Sequence, residues 1–154
     1  MVEIRKAQVS DARQCSEVLC SSIRELCSAD HNDDEQLILK WIDNKTEENF
    51  RKWILDESTQ FFVAEFEEKI RGVGAINLPD EVALNYVSPK FRYKGISRAI
   101  LVVLENALIE SGCCKGRLTS TITAHKFYQA SGWADVKMMH SWPGLDAHVM
   151  EKKL

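Results

Sequence analysis

Apolar and polar positions recur with two different periods along this chain, and each change of period predicts a change of secondary structure. Residues Val2–Gln8 alternate with the period of a strand, whereas the segment from Asp11 to about Ser28 repeats apolar side chains every three or four positions. That second pattern predicts a helix, for which Ser10 is the expected N-cap. Two shorter helices are expected next, one after the polar cluster Asp30–Asp34 and one capped by Thr46.

Strands and helices then alternate to the C-terminus. β-Branched and apolar runs predict strands at Gln60–Glu65, Ile70–Asn77, Val82–Val87, Leu118–Ile122, Val136–His140 and Ala147–Lys152. A long amphipathic helix is expected to reach Ser111 with Gly112 as its C-cap, and a short helix capped by Thr123 is expected to reach Ala130. The result is a mixed α/β pattern without internal repeats or a Pro/Gly-rich linker, so a single domain over residues 1–154 is expected.

Composition and charge narrow the class of protein. A chain of 154 residues that is 45% hydrophobic can bury one core, and a net charge of −3 lacks the basic surplus typical of nucleic-acid-binding proteins. Because no apolar run approaches the ~20 residues that cross a bilayer, and no signal peptide precedes the first strand, we expect no membrane contact and a cytoplasmic location. The five cysteines have no metal-ligand spacing, so we expect reduced thiols and no metal.

The loop before the long helix is the clearest candidate for a ligand site. Ser88-Pro89 ends a strand, and a basic turn with Arg92, Lys94 and Gly95 opens the helix. The first turn of a helix has unpaired N–H groups and a partial positive charge, and a glycine lets the backbone approach a ligand closely. This arrangement suits a phosphorylated ligand, although a solvated turn would explain the same residues.

Together with a second motif downstream, this loop resembles the GNAT superfamily of N-acetyltransferases. The cofactor motif of that family, Q/R-x-x-G-x-G/A after the fourth strand, is matched by Arg92–Ser97, with Ser97 in the last small position. The C-terminal signature A-x-x-x-Y-x-x-x-G-F/Y/W is matched by Ala124, Tyr128, Gly132 and Trp133. The resemblance implies a mixed, mostly antiparallel sheet of six to seven strands flanked by helices, in which the fourth and fifth strands splay apart.

The resemblance also implies the co-substrate, acetyl-coenzyme A. Its diphosphate would bind the amides of the turn, and its pantetheine arm would pair with the fourth strand like an added strand. The cofactor-binding residues implied in this way are Asn85, Tyr86, Val87, Arg92, Tyr93, Lys94, Gly95, Ile96, Ser97, Arg98, Thr121 and Tyr128.

Two side chains are candidates for acid–base catalysis by the same resemblance. Tyr128 takes the place of the general acid that protonates the leaving thiolate. Glu81, fourteen positions before Gly95, matches the spacing of the general base in the histone-modifying branch. Each also has a structural explanation, because Tyr128 can pack against the sheet beside Phe127 and Glu81 can be a solvated strand start.

The leading hypothesis is an N-acetyltransferase that moves the acetyl group to a primary amine of a small molecule by direct attack in a ternary complex. The N-terminal helices are acidic, which favours a cationic amine by steering, although a solvated helix start explains the same charges. The acidic residues are Asp30, Asp33, Asp34, Glu35 and Asp43. A protein or peptide N-acetyltransferase and a non-catalytic acyl-coenzyme A-binding module are the open alternatives. Dimers are common in the family, so the resemblance admits a homodimer, but the sequence does not give the oligomeric state.

Overall fold

A single seven-stranded sheet organises the chain in the computed structural model, which describes residues 1–142 and 145–154. The strands are β1 (Glu3–Lys6), β2 (Thr59–Phe66), β3 (Lys69–Asn77), β4 (Glu81–Val87), β5 (Lys115–Ser120), β6 (Ala134–Trp142) and β7 (Leu145–Lys153). Their order is β1-β2-β3-β4-β5-β7-β6, and all neighbours are antiparallel except β4 and β5. The expected mixed, mostly antiparallel sheet is confirmed.

Six helices accompany the sheet in the described part of the chain. They are α1 (Ala12–Leu26), α2 (Ser28–His31), α3 (Glu35–Ile42), α4 (Glu47–Leu55), α5 (Ile96–Glu110) and α6 (His125–Ala130). Of these helices, none combines the length and the apolarity that crossing a bilayer requires.

Strands β4 and β5 separate almost as soon as they meet. Glu81 is opposite Arg117 and Val82 is opposite Leu118, and these two pairs make up the described pairing of the two strands. Ala83 is an extra residue in β4, because its neighbours Val82 and Leu84 pair with consecutive residues of β3. Such a bulge bends and twists a strand, so β4 turns away from β5 and leaves one of its edges without a partner strand.

Helices cover both faces of the sheet. On one face α5 packs over β3 and β4 with Ile100 and Leu104 in the core, and Tyr128 of α6 joins the same cluster. On the other face α1 and α4 contribute Leu19 and Phe50 to a second cluster. The sheet is therefore the middle of three layers, and the gap between β4 and β5 is covered by helices from both sides.

Two glycines of β3 let α5 lie close to the sheet. A Cβ at Gly72 would be 2.7 Å from Ile100 Cδ1 and 2.9 Å from Ile96 Cγ2, and a Cβ at Gly74 would overlap the Ile100 side chain. Because Ile96 is the first residue of α5, this close packing holds the N-terminus of the helix against the sheet.

The start of α1 differs from the prediction. Ser10 lies inside a 3-10 turn and makes no cap, whereas the Asp11 carboxylate accepts the Gln8 N–H at 2.7 Å and pairs with Arg5 at 2.8 Å. A carboxylate that binds both a backbone amide and a guanidinium makes stronger hydrogen bonds than a serine hydroxyl. The Arg5 guanidinium also holds the pKa of Asp11 below its usual range.

The region between α1 and α4 also differs in part. Helix α1 ends at Leu26 instead of Ser28, and Asp30 lies in the one-turn helix α2 instead of in a loop. Thr46 caps α4 as predicted, because its side chain accepts the Asn49 N–H at 3.1 Å.

Candidate active site

The gap between β4 and β5 opens into a cavity of about 530 Å³. Residues of β4 and β5 form two of its walls, and the remaining walls come from the end of α1, the loop before α5 with the first turn of that helix, and the segment that leads into α6. Of the residues predicted for the site, all line this cavity except Lys94 and Glu81. The sequence motifs, which lie far apart along the chain, therefore meet at one place.

The N-terminus of α5 presents its backbone N–H groups without partners. Within the described chain, the amides from Tyr93 to Arg98 donate to no backbone or side-chain acceptor, and the first bond of the helix runs from the Ala99 N–H to the Gly95 carbonyl at 3.0 Å. Gly95 has a φ of 79°, and a Cβ there would meet no heavy atom within 4 Å. These unpaired donors, together with the positive end of the helix dipole, form a cradle for an anion.

The charged side chains around the cavity are cationic. Arg92 and Arg98 line it, and the Arg92 guanidinium lies over the Tyr93 ring at 4.6 Å from the ring centre. No aspartate or glutamate belongs to its described lining. The electrostatic potential inside the cavity therefore favours a polyanionic ligand.

Asn85 of β4 has a side-chain role that the sequence analysis missed. Its Nδ2 donates to the carbonyl of Ser97 at 3.0 Å, which ties β4 to the first turn of α5. Its Oδ1 is buried and has no hydrogen-bond partner among the described residues. An unsatisfied buried acceptor costs about 1–3 kcal/mol, and this atom belongs to the side chain that lies beside the Tyr128 phenol and acts, against the effect of burial, to lower its pKa. The family resemblance implied a role for the backbone of Asn85 only, so nothing in the sequence indicated a role for its side chain.

Tyr128 is buried at the same cavity, with 6% of its surface exposed. Its ring packs edge-to-face against Phe127 and Trp133, at centroid distances of 5.1 Å and 6.4 Å. Burial raises the pKa of the Tyr128 phenol above its usual value, and the Asn85 amide beside it works in the opposite direction. The phenol is therefore a neutral hydrogen-bond donor at physiological pH. Packing and proton donation are compatible roles for this residue.

The segment that leads into α6 is arranged differently from the prediction. Thr123 was expected to cap the helix, but Thr121 Oγ1 accepts the Ala124 N–H at 3.1 Å, and the Thr123 hydroxyl donates to Asp30 at 2.5 Å. Strand β5 also ends at Ser120, before the predicted Ile122. The Thr123 hydroxyl binds the carboxylate instead of capping the helix, because a hydrogen bond to a charged carboxylate is stronger than one to a neutral backbone amide.

Asp30 of α2 anchors this segment. It is buried, with 5% of its surface exposed, and its carboxylate accepts the N–H groups of Ile122 at 2.7 Å and Thr123 at 3.1 Å in addition to the Thr123 hydroxyl. The N-terminal helices are thereby fixed to the segment that carries Thr121 and leads to Tyr128. Asp30 was predicted as one of several steering charges, and its carboxylate is instead committed to this loop.

Two other residues of the acidic region also have structural partners. Asp34 caps α3 by accepting the Gln36 N–H at 2.9 Å, and Glu35 pairs with Arg24 at 2.9 Å. An exposed cap and an exposed ion pair of this kind stabilise a helix start, which is the simpler of the two explanations considered for these charges.

Glu81 lies outside the residues that line the cavity. Its carboxylate accepts a hydrogen bond from Asn77 Nδ2 at 2.9 Å and pairs with Arg117 at 3.4 Å, beside the two residue pairs that join β4 to β5. These contacts give it a structural role at the closed end of the gap. Its role as a general base stays a prediction.

Comparisons with known proteins agree with this fold. The family model described as "Acetyltransferase (GNAT) domain" matches residues 27–154. A GCN5-related N-acetyltransferase from Rhodopseudomonas palustris has a TM-score of 0.89 at 19% identity, with 99% of this chain and 95% of that chain covered. The PaiA N-acetyltransferase from Thermoplasma acidophilum, solved with coenzyme A, has a TM-score of 0.85 at 22% identity, with 100% and 99% covered. No curated protein sequence matches this chain.

Replacing Asp30 by asparagine should lower the free energy of unfolding by about 1–3 kcal/mol, since an amide leaves one of its backbone donors unpaired. Urea denaturation measures this change. Asp34→Asn is the matched control, because asparagine caps a helix as well as aspartate does and the expected change is within ~0.5 kcal/mol. Equal losses in the two variants would contradict the anchoring role of Asp30.

Proposed function

This chain belongs to the GNAT acetyltransferase family, and from that premise we propose that the cavity between β4 and β5 binds acetyl-coenzyme A and delivers its acetyl group to a primary amine of a small molecule. Acetyl-coenzyme A-dependent N-acetyl transfer is the activity of the family. The observation that carries the assignment of the site is the run of unpaired amides from Tyr93 to Arg98, which faces a cavity with arginines but no carboxylate in its described lining.

The α5 end of the cavity binds the diphosphate in this proposal. The amides of the Gly95 turn donate to the phosphate oxygens, and Arg92 and Arg98 add charge-assisted hydrogen bonds. Ser97, which replaces the small residue of the family motif, also lines the cavity and brings a hydroxyl to the same turn. Lys94 lies outside the lining, so its charge acts from a distance.

The free edge of β4 binds the pantetheine arm. From Ala83 to Val87 this edge faces the gap, so its N–H and C=O groups can pair with the two amides of the arm as a neighbouring strand would. One β4 amide then lies where it can donate to the thioester oxygen, and it stabilises the negative charge that develops during attack.

The chemistry of the cavity favours direct attack by the amine over an acetyl-enzyme intermediate. Cys27 is the thiol in the described lining, and burial, followed by the nearby Asp30, raises its pKa to about 12. A thiol with this pKa stays protonated at neutral pH and is a poor nucleophile. Tyr128 protonates the leaving thiolate as the tetrahedral intermediate collapses.

The acceptor side of the cavity favours a small molecule. Ser22 and Leu26 of α1 and Cys27 directly after it line the cavity together with Thr119 and Thr123, so this part of the wall is neutral and partly apolar. The cavity as a whole, about 530 Å³, also takes the pantetheine arm in this proposal, so only part of that volume is left for the acceptor. A protein or peptide acceptor would need an open groove, and a non-catalytic module would not need the buried phenol of Tyr128.

We also propose a cytoplasmic location and a homodimer. The location is supported by five free cysteines, including the exposed Cys114, because disulfides are rare in reducing compartments. A dimer is supported by β6, an edge strand that exposes Val136, Met138 and Met139, since apolar strand edges tend to pair with a second chain.

An amine-panel assay tests the proposed acceptor. The protein is incubated with acetyl-coenzyme A and either small primary amines or peptides with free N-terminal and lysine amines, and the released thiol is measured. We expect kcat/KM to be at least on the order of tenfold higher for the best small amine. A preference for peptides of that size would support the protein-acetylating alternative, and no turnover with either set would support the non-catalytic one.

Gly95→Glu should abolish coenzyme A binding, because the side chain would enter the anion cradle and add a like charge. Gly112→Glu is the matched control at the other end of α5, with a φ of 95° and, as at Gly95, nothing within 4 Å of a Cβ. Both variants bear a similar backbone strain of about 1–2 kcal/mol. Calorimetry should show binding only for the control, and normal affinity in Gly95→Glu would exclude the cradle as the diphosphate site.

Tyr128→Phe should lower kcat on the order of tenfold or more and leave coenzyme A affinity near normal, as expected for loss of a general acid. Because burial raises the pKa of Tyr128, the acid form persists below that pKa and is lost only as the pH rises through it. The ratio of wild-type to variant kcat should therefore be constant from about pH 7 to 9.5. Unchanged turnover with every accepted amine would exclude Tyr128 as the acid.

A further inference from the structure

Three potential metal ligands converge beside α6, outside the cavity. His125 of α6, Asp135 of β6 and His148 of β7 each offer one ligand atom, and these atoms lie within 4.8 Å of one another. None of the three lines the acetyl-coenzyme A cavity. Their convergence therefore needs an explanation that is independent of the transfer reaction.

The pairing of β6 with β7 aims two of these side chains at α6. Asp135 is opposite Met150, which is fully buried on the α5 and α6 face of the sheet. His148 precedes Met150 by two residues and so points to that same face, because side chains alternate along a strand. Asp135 and His148 are thus diagonal neighbours under the first turn of α6, where His125 begins the helix.

The carboxylate in this cluster is held in place by α6. His125 Nε2 and Asp135 Oδ1 are 2.7 Å apart, and Gln129 Nε2, one turn later in α6, donates to Asp135 Oδ2 at 3.1 Å. Both oxygens of the Asp135 carboxylate are therefore in contact with side chains of α6. A ligand carboxylate fixed by a neighbouring hydrogen bond is typical of metal sites.

His148 is the part of the cluster that a simple His–Asp pair does not explain. Its ring stacks on that of His125 with the centroids 3.5 Å apart and the planes 3° from parallel, and its nitrogens take no part in the described hydrogen bonds of the cluster. The stack brings the His148 ring within reach of the same ion as His125 and Asp135.

We propose that His125, Asp135 and His148 form a binding site for a divalent transition-metal ion of the zinc, cobalt and nickel class. Two imidazole nitrogens and one carboxylate oxygen suit these ions, whereas magnesium and calcium prefer oxygen ligands. The ion replaces the contact between His125 and Asp135, and one imidazole rotates out of the stack so that its in-plane lone pair reaches the ion. The partly exposed Asp135 leaves room for a water molecule as a further ligand.

Binding at this site would join α6 to both strands of the β6-β7 hairpin. Tyr128 follows His125 by three residues and lies one turn further along the same short helix. An ion would therefore restrict the element that carries the proposed general acid without touching the substrates.

Cobalt titration of the purified protein tests the site without any measurement of activity. Cys113 and Cys114 are replaced by serine in every sample, since thiolates bind cobalt and zinc themselves. We expect a saturable visible absorption band with one Co²⁺ per chain, which Zn²⁺ displaces. No saturable binding would overturn the proposal.

His148→Gln is the informative variant because it removes a ligand and leaves the hydrogen bonds among His125, Asp135 and Gln129 in place. Cobalt affinity should fall by at least roughly tenfold, while circular dichroism and the unfolding midpoint of the metal-free protein stay near those of the parent. The matched control is His140→Gln, which removes an exposed histidine hydrogen-bonded to Asp146 on the same hairpin. Retained affinity in His148→Gln, or an equal loss in the control, would overturn the assignment.

Discussion

The early separation of β4 and β5 is the constraint on which the rest of the molecule depends. Two residue pairs join these strands, and the bulge at Ala83 then turns β4 away. If β4 and β5 had stayed paired along their length, their backbone N–H and C=O groups would have bonded to each other and side chains would have filled the gap. Because it stops, the sheet keeps an unpaired internal edge, and the protein can offer that edge, the amides of α5 and the phenol of Tyr128 to one extended ligand.

Asp30 shows how the N-terminal helices take part in this arrangement. A buried carboxylate is stable only where donors surround it, and here the donors belong to the segment between β5 and α6. The same contacts fix Thr121 and the start of the helix that carries Tyr128. The Asp30 carboxylate thereby positions both the proposed acceptor wall and the helix of the proposed general acid. Helix α2, which carries Asp30, contributes no side chain to the described lining of the cavity.

Local sequence signals predicted most of the helices and strands, because strand alternation and helical periodicity are properties of consecutive residues. They also predicted a ligand site at the Gly95 turn, and that site stays a prediction. The errors arose where a distant partner decided the outcome. At the start of α1, Asp11 makes the stabilising contacts instead of Ser10, because it pairs with Arg5. Before α6, the Thr123 hydroxyl binds the carboxylate of Asp30, 93 positions away, instead of capping the helix. The cluster beside α6 that we propose as a metal site could not be predicted for the same reason, since its three members have no characteristic spacing along the chain.

The absence of side chains at Gly72 and Gly74 couples the packing of the core to the proposed binding of a nucleotide-derived ligand. The helix whose N-terminus is proposed to bind the phosphates packs on these two positions through Ile100 and Ile96. Any enlargement beneath the helix would lift its first turn and displace the donors together. Substitutions of buried residues that never contact the ligand would therefore also lower the affinity for the co-substrate. A binding surface mapped by mutagenesis alone would for this reason be too large.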